Sequence, residues 1–161
     1  MWISELDLTN WRNHSDTRLR LEPGVTLFWG QNGQGKTNIV EAVRVLANLS
    51  SHRTNSTEAL IKDGFNKATL IAKINSSGRS VKIGLVVNRI GPNQAFVNGS
   101  KVNLSELPFW LSAIMFAPED FAIVRGDPSL RRGFLNDIIV GVKPVSMALL
   151  RDYDRILKQR N

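Results

Sequence analysis

An α/β fold carrying an antiparallel sheet is what the 161-residue sequence predicts, and three observations predict it. A glycine-rich octapeptide, Gly30-Gln31-Asn32-Gly33-Gln34-Gly35-Lys36-Thr37, stands between an apolar, β-branched run and a stretch of helical period. Residues 67–103 alternate apolar with polar side chains and carry turn signals between the runs. From Pro128 the period changes to that of a helix. At this length, with 42% hydrophobic residues, the chain can bury one good core.

The elements follow in order. Residues 2–9 alternate well enough for a strand, and residues 17–21 and 25–29 read as two more, with Glu22-Pro23-Gly24 as the turn between them. Ile39, Val43, Leu46 and Ala47 then recur at helical spacing over residues 38–49. Ala68, Leu70, Ala72 and Ile74 form one alternating face, and Val81, Ile83, Leu85 and Val87 form its partner across Ser76-Ser77-Gly78. Residues 94–97 run into Asn98-Gly99, the strongest short hairpin signal available to a sequence. Residues 110–117 form another apolar run, predicted as a core strand ending at Pro118. Pro128 and Pro144 sit where a helix tolerates proline in its first turn. The last helix reaches Asn161 without a cap, glycine or proline, which predicts an element cut in mid-course and a longer parent protein.

The octapeptide matches the phosphate-loop pattern G-x-x-x-x-G-K-[ST] in full, in the strand–loop–helix context the chemistry requires. Glycine lets the backbone bring its N–H groups up to phosphate oxygens, and the following helix aims its positive dipole end at the same anion. Gly30, Gln31, Asn32, Gly33, Gln34, Gly35, Lys36, Thr37 and Asn38 are therefore the expected contacts to a nucleoside triphosphate. Lys36 would reach the β- and γ-phosphates, and the Thr37 hydroxyl would ligate Mg²⁺.

Composition removes several other classes. The absence of cysteine excludes disulfide frameworks, Cys-based zinc sites and thiol nucleophiles. Neither a signal-peptide pattern nor a run of about 18 apolar residues is present, so a soluble, cytoplasmic protein without membrane contact is expected. The net charge of +7 is uneven: residues 53–101 carry eight basic against two acidic side chains, while residues 1–52 balance. That basic segment lies outside the phosphate loop and is compatible with a nucleic-acid footprint or with a merely solvated face.

These residues resemble the RecF family of DNA replication and repair proteins. The resemblance rests on Leu8-Thr9-Asn10-Trp11-Arg12-Asn13, the phosphate loop through Asn38, Glu41-Ala42, Ser51-His52-Arg53-Thr54 and Val97-Asn98-Gly99. Phe116-Ala117-Pro118-Glu119-Asp120, Val124-Arg125-Gly126-Asp127-Pro128, Arg131-Arg132-Gly133-Phe134-Leu135-Asn136 and Leu150-Arg151-Asp152-Tyr153 extend it along the whole chain. It implies an α/β P-loop NTPase of ABC-ATPase type: the N-terminal part of the head, with an antiparallel β subdomain and the start of a helical subdomain. The corresponding division is a head lobe over 1–127, with the β insertion at about 67–103, and a truncated helical subdomain over 128–161. It further implies ATP and Mg²⁺ as cofactors, an ATP-dependent homodimer in the complete protein, and DNA binding at gaps or single-strand/double-strand junctions. RecR and RecO are the implied partners in loading RecA, within repair, replication, recombination and the SOS response to DNA damage.

The family's signature motif and Walker B acids have no counterpart here, so weak ATPase activity is expected of the complete protein and none of this chain. No catalytic residue is assigned. In related heads the turn carrying Arg12 and Asn13 approaches the nucleotide, which makes both candidate contacts. The roles of His52 and Arg53 stay open between nucleotide or DNA contact and solvated surface, and those of Arg131 and Arg132 between phosphate or partner contact and solvated surface. Glu119 and Asp120, which follow an apolar run, have no assigned role, service to the metal and water being the one open to them. Trp2, Trp11, Trp29 and Trp110 lie in or beside predicted strands, which favours core packing over base stacking. A Rad50- or SMC-like head is the near alternative, and a small-molecule P-loop kinase the distant one. A GTPase is disfavoured, because no Asn-Lys-x-Asp segment is present.

Overall fold

The computed structural model describes residues 1–117 and 126–160. Strands β1 (Trp2–Trp11) and β2 (His14–Arg20) form the first hairpin, and α1 (Lys36–Asn48) follows the glycine loop. The second set is β3 (Lys67–Ser76), β4 (Arg79–Asn88), β5 (Gln94–Val97) and β6 (Ser100–Val102). A single helical turn α2 (Leu107–Trp110) precedes the two closing helices, α3 (Pro128–Val142) and α4 (Ser146–Arg160). The six strands make one sheet in the order β2-β1-β3-β4-β5-β6, every neighbouring pair antiparallel.

Period-two alternation decides the two faces of this sheet. Leu6, Ala72, Ile83 and Val97 line up across four strands, and Leu8, Leu70, Leu85 and Ala95 form the next row. Seven of these eight side chains are buried and Val97 is partly buried, packed with Ile39, Ala42, Val45 and Leu46 of α1 in one core. On the opposite face Arg20, Glu5, Lys73 and Lys82 occupy one row, and Arg18, Asp7, Ile71, Gly84, Phe96 and Lys101 the next. The β5–β6 turn has Asn98 at φ 49° and Gly99 at φ 84°, the doubly left-handed geometry that Asn-Gly supplies.

Two predicted strands are corrected. Residues 25–29 and 111–117 take no regular secondary structure, and neither joins the sheet of the described residues. In the first only Phe28 packs against the core while Val25, Thr26, Leu27 and Trp29 are exposed; the second alternates, with Leu111 and Ala117 buried and Ile114 and Phe116 exposed. The composition is that of a strand, but a strand acquires its hydrogen-bond ladder only from a neighbour. The expectation for the tryptophans divides accordingly. Trp11 is fully buried, Trp2 is partly so, and Trp29 and Trp110 are exposed, against the expected core packing.

The helices follow the sequence more closely. Asp127 caps α3 by accepting from the Ser129 N–H at 2.7 Å, with Pro128 in the first turn. An Arg44–Asp137 ion pair ties α3 to α1. Between them lies a groove of about 770 Å³ lined by Ser112, Ile114, Leu130, Phe134 and Ile138 among others. Among the described residues no helix is long and apolar enough to cross a membrane. Glu119, Asp120 and Arg125 lie outside the described residues.

Candidate nucleotide site

The loop joins residues 25–29 to the first turn of α1. Gly30, Gln31, Asn32, Gly33, Gln34 and Thr37 are exposed, and Gly35, Lys36 and Asn38 partly so. Gly35 is the N-cap, at φ 96°, and no side chain caps the helix. A Cβ there would lie 2.5 Å from Asn13 Oδ1 and 2.6 Å from His14 Nε2, so conformation and space both demand glycine. With no side-chain cap, the first N–H groups of α1 keep their free valence for an anion.

Loop carbonyls are held by neighbouring donors. The Lys36 ammonium donates to the Gly30 and Gln31 carbonyls at 2.8 and 2.6 Å. Asn13 Nδ2 lies 3.4 Å from the Gly33 carbonyl, and His14 Nε2 lies 3.1 Å from that of Gly35. A carbonyl only accepts, so Nε2 carries the hydrogen, and in the neutral ring Nδ1 accepts from the Thr17 hydroxyl at 2.9 Å. These contacts place the tip of the β1–β2 hairpin over the glycine loop.

That tip is anchored from below. Asn10 and Arg12 both have φ 52°, which is uncommon for residues with side chains and turns Trp11 between them into the core. The Trp11 indole N–H donates to the Asn38 carbonyl at 2.7 Å. Arg12 donates from Nε and Nη2 to the two oxygens of Glu41, at 2.9 and 2.6 Å, and from Nη1 to the Ala59 carbonyl at 2.7 Å. Glu41 is fully buried, and Ser51 Oγ donates to it as well. Burial pushes its pKa up, but the Arg12 and Ser51 hydrogen bonds and the charges of Arg12 and Arg53 outweigh that, holding it below the ordinary 4.5.

Asn38 joins the two halves. Its Nδ2 donates to Asn13 Oδ1, and its Oδ1 accepts from Arg53 Nη1, both at 2.8 Å. The fold thus gathers Arg12, Asn13, Lys36, Thr37, Asn38 and Arg53 around the start of α1, while His52 lines the groove beside α3. Arg131 lies apart from this cluster, with Nη1 donating to the Gly126 carbonyl at 3.1 Å.

Sequence reasoning gave no site role to Glu41 and passed over His14. The signal for Glu41 was present: it is a charged residue on the apolar face made by Ile39, Ala42, Val45 and Leu46. A carboxylate in that position stays buried only with partners. His14 offered no such signal, because its contact with Gly35 depends on how the hairpin folds over the loop.

Residues 2–160 match the family described as RecF/RecN/SMC N terminal domain. Over all of its length the chain is 45% identical to the DNA replication and repair protein RecF of Clavibacter sepedonicus, covering 40% of that protein. It is 41% identical to the protein of the same name from Leifsonia xyli subsp. xyli, covering 42% of it. The chain therefore spans about 40% of the length of the curated relatives it matches. Among solved structures, the recombination mediator protein RecF-ATPrS in the RecFOR pathway superposes with a TM-score of 0.90 at 28% identity, over 99% of this chain and 43% of that one. The corresponding RecF-ATP structure gives 0.87 at the same identity, over 99% and 44%. An SMC head domain from Thermotoga maritima, 19% identical, shares the fold at a TM-score of 0.57 over 70% of this chain and 43% of that one.

Proposed function

The chain belongs to the RecF/RecN/SMC N terminal domain family, with the fold of the N-terminal part of an ABC-type ATPase head, and from that premise we propose that it binds ATP with Mg²⁺ for a DNA replication and repair protein of RecF type. The observation that carries this reading is the complete loop from Gly30 to Thr37, seated on α1 beneath the β1–β2 tip. Backbone N–H groups at the helix start would receive phosphate oxygens, Lys36 would supply a cation to them, and the exposed Thr37 hydroxyl would hold Mg²⁺, which when bound would supply positive charge against the phosphates. Arg12 reaches this site as part of a fixed framework, because its guanidinium is engaged by Glu41 and Ala59. DNA is the second ligand, held sequence-independently by the basic outer sheet face around Lys73 and Lys82. Residues 128–160 then start a helical subdomain, and the complete protein dimerises on ATP, prefers gapped DNA and works with RecR and RecO in the cytoplasm to load RecA.

Calorimetric titration with ATP tests the central claim. Lys36→Ala removes a charge-assisted contact worth about 1.5–3 kcal/mol and is expected to weaken binding roughly ten- to a hundredfold. Equal affinity of the two proteins would remove the nucleotide from this loop.

A further inference from the structure

Glu41 is buried at the centre of a network that reaches the phosphate loop only through other residues. Both of its oxygens accept from Arg12, and Ser51 adds a third donor. Arg12 is the residue immediately before Asn13 and His14; Asn13 meets the Gly33 carbonyl, and His14 is the second donor to the Gly35 carbonyl, which also accepts the Ile39 N–H at 3.1 Å in the first turn of α1. The backbone is left-handed at Asn10 and at Arg12, a conformation uncommon for an arginine that the surrounding contacts must hold in place. A phosphate loop works only if its peptide N–H groups face the anion, and a peptide whose carbonyl is held from one side presents its N–H to the other.

We propose that Glu41 is a positioning residue for nucleotide binding: through Arg12 it clamps the β1–β2 tip over the loop, and Asn13 and His14 then fix the orientation of the Gly33 and Gly35 peptides. Glu41 touches no nucleotide in this arrangement. His14 is its terminal effector, with the Nε2 hydrogen as the working atom. This inference rests on the nucleotide-binding reading of the loop but is separable from it, because Lys36 is bonded to the Gly30 and Gln31 carbonyls and has no part in the clamp.

The test is ATP titration of the chain and its variants, with far-UV circular dichroism to establish that each is folded. Glu41→Gln keeps the size of the side chain and removes its charge, and is expected to weaken ATP binding about tenfold or more. His14→Ala and His14→Asn should lose a similar factor, whereas His14→Gln should stay within about threefold of wild type. The glutamine amide nitrogen can stand where Nε2 stands and donate to Gly35; the shorter asparagine cannot reach. The Glu41→Gln/His14→Ala double variant should bind no more weakly than the weaker single one, since both act through one tip. Wild-type affinity in folded Glu41→Gln or His14→Ala, asparagine serving as well as glutamine, or additive losses in the double variant would each overturn the proposal. If Glu41→Gln does not fold, the order of the His14 variants decides alone. Lys36-dependent ATP binding that is indifferent to these substitutions sinks the clamp and spares the nucleotide reading. No ATP binding by the wild type sinks both.

Discussion

Two regions of similar apolar character meet opposite fates in this molecule. Around the start of α1, Trp11 is 0% exposed with its indole N–H bonded, and Glu41 is 0% exposed with both oxygens engaged. Along residues 25–29 and 111–117, Val25, Trp29 and Ile114 are 100%, 86% and 101% exposed. The difference is one of partners. Trp11 bonds to α1 through Asn38 and forms an isolated bridge to Ile61, while residues 25–29 and 111–117 pair with no strand of the sheet among the described residues. Apolar composition makes a segment able to be buried; a neighbour with free backbone groups and a matching face makes it buried.

The comparison breaks first at its two tryptophans. Trp11→Ala should cost about 3–5 kcal/mol of stability, through the lost burial, the cavity and the lost bond to Asn38. Trp29→Ala should shift it by no more than about 0.5 kcal/mol. Urea denaturation of the two variants measures both. Similar losses would mean that Trp29 is covered in solution and that the two regions are alike after all.

The ion pair beneath the loop gives the next largest effect. Arg12→Ala strands a buried carboxylate and should cost about 3 kcal/mol at neutral pH. Glu41 has a folded pKa below its ordinary 4.5, so its stabilisation is fully present above the unfolded value and fades as pH falls through the folded one. The stability gap between wild type and Glu41→Gln should therefore be widest near neutrality and shrink as urea midpoints are taken below pH 4.5. A gap independent of pH would show that the carboxylate's charge contributes nothing and that packing alone separates the two proteins.

The same contrast explains what was legible in the sequence. Strands β3 and β4 could be read because each carries its alternation and finds its partner within a short turn, as the Ser77 and Gly78 backbone shows. Helix α1 and the glycine loop could be read because their chemistry is local. Residues 25–29 and 110–117 read as strands from composition, but pairing is not local, and among the described residues neither segment is paired with a strand of this sheet. The clamp under the loop was missed for a related reason. Arg12 and Glu41 are 29 positions apart, and only the antiparallel hairpin folding back over α1 makes them neighbours. A positive residue near a phosphate loop suggests a phosphate contact; its burial against a carboxylate could be learned only from the fold.

The smallest expected effect concerns the outer sheet face, which is exposed like those two segments but charged. Lys73 and Lys82 face each other across β3 and β4 in one row with Arg20, and Glu5 pairs with Lys73 at 3.1 Å. Arg89 belongs to the same basic segment of the sequence, but it lies just beyond β4, at the end opposite Lys82, with Nε donating to the Phe65 carbonyl at 3.1 Å. If the row holds DNA phosphates, each contact contributes about 0.9 to the slope of log affinity against log salt. Lys73→Ala and Lys82→Ala together should shallow that slope by between about one and two, with Lys82 giving the larger share because Lys73 is already paired with Glu5. Arg89→Ala should leave it unchanged. Binding of a fluorescent duplex at several salt concentrations reads all three. An equal loss at Arg89, or none at Lys82, would move the footprint off this face, and the exposed row of lysines would then be a solvated surface with no more partner than Trp29 has.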